Sequence, residues 1–84
     1  MENNKVAINN YIKLREELEG FNKAYDKKIE ELETKSKKLY EKLQIEFTDE
    51  DFIDYVLTTN SLSKLQDIKI GKLERLNLAK KQIS

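Results

Sequence analysis

Residues 11–43 read YIKLREELEGFNKAYDKKIEELETKSKKLYEKL, and this stretch decides the fold. Tyr11, Leu18, Tyr25, Leu32 and Leu39 recur at every seventh position, with Leu14, Phe21, Ile29 and Leu43 in a second row beside them. Rows with this spacing form the apolar stripe of a long helix, a coiled-coil-like seam that must lie against another helix. The second row changes step between Phe21 and Ile29, so the seam is not a strict two-stranded zipper. Gly20 lies inside the stretch, and a mid-helix glycine costs about 1 kcal/mol. The rows nevertheless pass through it in phase, by way of Leu14, Leu18, Phe21 and Tyr25.

The pattern therefore predicts one uninterrupted helix over about 3–46, capped by Asn3 or Asn4. Glu19 with Lys23, Glu31 with Lys35 and Glu33 with Lys37 are spaced for supporting ion pairs along it. At 1.5 Å per residue such a helix is about 65 Å long. A compact chain of this length would have a radius of gyration of only about 12 Å. The molecule must be elongated.

Beyond the seam the pattern stops at residues 44–51. Thr48, three residues ahead of Asp51, is a capping-box analogue. Asp49, Glu50, Asp51 and Asp54 put negative charge where a helix N-terminus favours it. A short helix over about 49–59, apolar on most sides, is expected to follow. Thr58-Thr59-Asn60-Ser61 predicts a break, because hydroxyl and amide side chains compete for backbone hydrogen bonds.

A last helix over about 62–83 then carries Leu62, Leu65, Ile68, Leu73, Leu76, Ala79 and Ile83 on one face, interrupted by Lys69 and Lys72. The reading is a single all-α domain over 1–84, an elongated antiparallel helical hairpin. Leu18, Tyr25, Leu32, Leu39, Leu65 and Leu76 are its expected core. Ile12, Tyr40, Ile45, Ile70 and Leu78 fall off the stripes, and completion as a dimeric helical bundle is the simplest way to cover them.

Composition narrows the function classes. The chain has 16 basic and 16 acidic residues, so no global field draws it to nucleic acid or to a membrane. It has no cysteine and no histidine, which removes thiol chemistry, Cys-based zinc sites and the commonest general base. No apolar run approaches the roughly 20 residues of a membrane span. Met1–Lys5 lacks a signal-peptide hydrophobic region, and a cytoplasmic location is expected.

Three constellations invite chemistry. The acidic group Glu46, Asp49, Glu50, Asp51 and Asp54 lacks the glycine and ligand spacing of a calcium loop, and helix N-terminal charge accounts for it. The run Lys35-Ser36-Lys37-Lys38 with Lys42 is surrounded by glutamates and reads as a solvated face. In the last helix Lys64, Lys69, Lys72, Arg75, Lys80 and Lys81 outnumber Asp67 and Glu74 by four, which makes it the better candidate for nucleic acid. Residues 52–76 match a helix-turn-helix only weakly, since the turn lacks glycine.

Leu14-Arg15-Glu16-Glu17-Leu18-Glu19 resembles the opening of the small all-helical chorismate mutases, which share the long-short-long helical order. That family clamps a dianionic substrate with several arginines and a lysine. Here only Arg15 and Arg75 are present, and Leu32 stands where the next helical arginine belongs. The resemblance covers six residues and stops short of the chemistry.

The expectation is a protein that is not an enzyme and uses no cofactor or metal. It would be a helical interaction module, of the kind found among small adaptors, inhibitors, antirepressors and assembly factors of phages and other mobile elements. Ile12, Tyr40, Ile53, Leu57 and Ile70 are the expected partner-facing side chains, in a homodimer. The alternative is a dimeric nucleic-acid-binding protein that uses the basic residues of 62–83.

Overall fold

The computed structural model describes residues 2–83. They form two helices, α1 (Glu2–Ile45) and α2 (Asp49–Ile83), packed antiparallel as a hairpin. Among the described residues there is no strand. The molecule measures 64 × 18 × 15 Å with a radius of gyration of 18.5 Å, the elongated shape that the length of the seam demands.

α1 passes through Gly20 without a break. It is already helical at Glu2, so Asn3 and Asn4 lie within it rather than at its cap. Leu18, Phe21, Ile29 and Leu32 are buried, and Leu14, Leu39 and Leu43 are half-buried, so both rows of the seam face α2. Tyr25 departs from its expected place in the core: it is 43% exposed, its ring tilted against Phe21 at 4.9 Å. The cause is the change of step. Leu18, Phe21, Tyr25, Ile29 and Leu32 advance by three, four, four and three, and the second four turns Tyr25 outward.

The bend is short and held at its exit. Thr48 accepts the Phe52 N–H at its carbonyl (3.0 Å) and the Asp51 N–H at its hydroxyl (3.2 Å), as a helix cap does. Lys42, in the last turn of α1, forms an ion pair with Asp51 at 3.1 Å. The Lys42 ammonium and then the Thr48 hydroxyl hold the Asp51 carboxyl below its ordinary pKa.

The expected break at Thr58–Ser61 is absent, and α2 is one helix of 35 residues in place of a short and a long one. Two features explain the continuity. Thr59 donates its hydroxyl to the carbonyls of Tyr55 and Val56, both at 3.0 Å, so it bonds back onto the helix instead of competing with it. Thr58 is buried against α1, and that tertiary contact outweighs a poor local propensity.

The face of α2 also differs from expectation. Tyr55, Thr58, Leu62, Leu65, Lys69, Lys72, Leu76 and Ala79, all buried or half-buried, form the face toward α1 in strict alternation of three and four, with Asp54, Thr59, Gln66 and Gly71 half-buried beside them. Ile68 and Leu73 are exposed on its flanks. Leu62, Leu65, Leu76 and Ala79 fix the phase, and that phase places the two lysines in the seam. Lys69 reaches Asp26 at 2.9 Å, and the Lys72 ammonium sits 6.0 Å from the centre of the Phe21 ring. Both lysines meet α1 close to its change of step. The middle of the seam is therefore polar.

Candidate interaction surface

α1 is longer than α2 by nine residues, about 13 Å at 1.5 Å per residue. Because Lys69 pairs with Asp26, Ile83 comes level with about Ile12. The α1 residues before it, with Val6 and Ile8 exposed among them, extend beyond the described end of α2.

The two flanks of the hairpin are unlike. The Gln66–Glu33 hydrogen bond (3.3 Å) and the Phe47–Phe52 ring contact (5.5 Å) bridge the helices along one of them. Steps of seven along α1 from Glu33, and one of eleven across the change of step, align Phe47, Tyr40, Asn22, Arg15 and Ile8, with Ile12 one turn from Ile8. The same steps along α2 from Gln66 align Phe52 and Leu73, with Val56 and Ile70 a turn from each. This flank thus collects Ile8, Ile12, Tyr40, Phe47, Phe52, Val56, Ile70 and Leu73, all exposed.

The opposite flank carries the Lys35–Asp54 pair at 3.2 Å and fewer apolar side chains, Ile68 with Leu57 and Leu78 among them. A hollow of about 630 Å³ on it, open to solvent, is lined by α1 alone, Lys27, Lys35, Lys38 and Lys42 alternating there with Glu30 and Glu31. Two of those lysines are already paired across the hairpin, Lys35 with Asp54 and Lys42 with Asp51. Glu19 likewise pairs with Arg15 rather than along the expected Glu-to-Lys spacing.

All five expected partner-facing residues are exposed, but they do not share one surface. Ile12, Tyr40 and Ile70 lie on the apolar flank. Ile53 and Leu57 point from α2 away from α1, next to the bend, where Ile45 is 89% and Phe47 61% exposed. Glu41, Glu46, Asp49 and Glu50 rim that end, all exposed. Sequence reading missed Phe47, Phe52, Val56 and Leu73 as surface residues, since only the register of α2 against α1 tells a flank from a seam.

The six basic residues of 62–83 are also divided. Lys69 and Lys72 are taken up in the seam, while Lys64 and Arg75 are exposed. Among the described residues no three carboxylate, histidine or cysteine side chains converge as a metal site, and no helix is long and apolar enough to cross a membrane. Comparison with family models, curated proteins and solved structures finds no match.

Proposed function

We propose that the chain is a non-enzymatic interaction module, a cytoplasmic homodimer that offers its bend end to a protein partner. Small adaptors, inhibitors, antirepressors and assembly factors, including those of phages, work in this way. The observation that carries the reading is the apolar end formed by Ile45, Ile53 and Leu57, exposed within a turn or two of the bend and rimmed by acidic side chains. A solvated hairpin end has no need of such residues, and exposed apolar clusters of this kind mark interaction sites. The acidic rim calls for a partner with basic residues around an apolar centre.

The test is a pull-down from the native host with the wild-type chain beside Ile53→Glu/Leu57→Glu. Both positions are exposed, so the variant should keep its helicity and melting temperature. The wild type should retain a partner that the variant loses, and the purified partner should bind with the same difference. Equal retention by both chains would overturn the reading. So would a gel shift with duplex DNA or RNA at about 50 mM salt that fades by about 200 mM and depends on Lys64 and Arg75, the signature of phosphate contacts.

A further inference from the structure

The dimer proposed above has a face and a direction. The accessible surface is 6854 Å², whereas a compact monomer of 10.0 kDa exposes about 5,200 Å². The excess, about 1,600 Å² per chain, is of the size that obligate dimers remove, about 2,000–5,000 Å² over both partners. Eight of the exposed large apolar side chains lie on the flank that carries Ile12, Tyr40 and Ile70.

Direction follows from charge and from the overhang. At the level of the Asp26–Lys69 pair, residues 26–69 on the bend side hold eleven acidic and eight basic side chains, a net of −3. The remaining residues hold five acidic and eight basic, a net of +3. A parallel pair would set −3 against −3, oppose α1 of each copy to α2 of the other, and leave Ile8 and Ile12 on the overhang uncovered. An antiparallel pair sets the net acidic half of each copy against the net basic half of the other. It also brings Tyr40 and Phe52 of one bend end over Ile12 and Ile8 of the other copy, with Ile70 and Leu73 near the two-fold axis. The geometry points to a second copy of this chain as the occupant of the apolar flank, laid antiparallel so that each bend end covers the other's N-terminal overhang. This rests on the homodimer reading and not on the protein partner.

The chain has no cysteine, so introduced thiols are the only ones present. Ile12→Cys and Tyr40→Cys are prepared separately, then treated with a short bis-maleimide cross-linker alone and as an equimolar mixture. Positions 12 and 40 of one chain are about 42 Å apart along α1, beyond the reach of the reagent. The mixture should yield a cross-linked heterodimer, and neither variant should cross-link to itself. Arg15→Cys with Lys37→Cys, which leaves the apolar contacts intact, should behave alike. Self-cross-linking of either single variant overturns the antiparallel direction. A mixture that sediments as a dimer without cross-linking overturns the flank. Sedimentation of the wild type as a monomer across the concentration range overturns the homodimer itself, which separates the failures.

Discussion

Replacing Lys69 by leucine asks whether the α2 seam holds its lysine for stability or for specificity. The Lys69–Asp26 pair is short, but its side chains are 34% and 55% exposed. Ion pairs so placed contribute about 0.2–1 kcal/mol. Full burial of a leucine side chain contributes about 1.5–3 kcal/mol, and the site removes about two-thirds of the side chain from water. Part of that gain already exists, because the lysine stem lies on apolar surface. The balance favours leucine by about 0.5–1 kcal/mol, and in a domain of 60–100 residues about 1 kcal/mol moves the melting temperature by about 4–8 °C. Thermal melts by circular dichroism should therefore show Lys69→Leu melting about 2–8 °C above the wild type, on the same estimate. Asp26→Asn, which removes the pair and adds no packing, should melt slightly below it. A lower melting temperature for Lys69→Leu would refute the reasoning. It would mean that the polar mid-seam is the more stable solution, and that the lysine is not a specificity device of the sort polar seam residues provide.

Two further outcomes follow from the bend. Thr48→Ala deletes the acceptor of the Asp51 N–H and should cost about 1 kcal/mol; a melt together with faster amide exchange at Asp51 checks it, and Thr48→Ser should restore both. The Asp51 pKa is lowered in the folded chain, so its contribution to stability is complete above the carboxylate range and is lost as pH falls through the folded value. The melting temperature should decline on acidification below about pH 4, and Asp51→Asn should lower it at neutral pH and flatten part of that decline.

Much of the fold was legible because it is periodic. Leu18, Leu32 and their neighbours at heptad spacing fix a helix face whatever it packs against, and a helix of about 65 Å forces elongation. Thr58–Ser61 misled because propensity is local and burial is not: Thr58 is held by α1, which no window around residue 58 contains. The face of α2 misled for a related reason. Its apolar residues are scattered around the helix, with Ile53, Val56, Leu57, Ile68, Ile70 and Leu78 all exposed, so hydrophobicity alone does not select the seam. What selects it is the antiparallel register against α1, set by the three-residue bend and by pairs such as Lys42–Asp51. The candidate surface inherits that difficulty. Ile12, Tyr40 and Ile70 could be picked out as residues off the stripes, but not as members of one flank distinct from Ile53 and Leu57.

That division bears on how one small hairpin could serve two contacts. Among the described residues no side chain is fully buried, and the seam is polar near its middle, where Lys69 and Lys72 meet the change of step in α1. A seam so constituted gives register more than it gives stability. The missing apolar burial is on the surface instead, in two groups that point in different directions. A flank that follows both helices suits a long, self-complementary contact, because in a two-fold pair each position that meets another on the second copy is met by it in return. An exposed end with a mainly acidic rim suits a contact with something else, because two copies meeting there would set like charges together. The proposed dimer and the proposed partner site therefore do not compete for the same side chains. Ile53→Glu/Leu57→Glu should leave dimerisation intact, and substitutions at Ile12 or Tyr40 should weaken it without altering Ile45, Ile53 or Leu57.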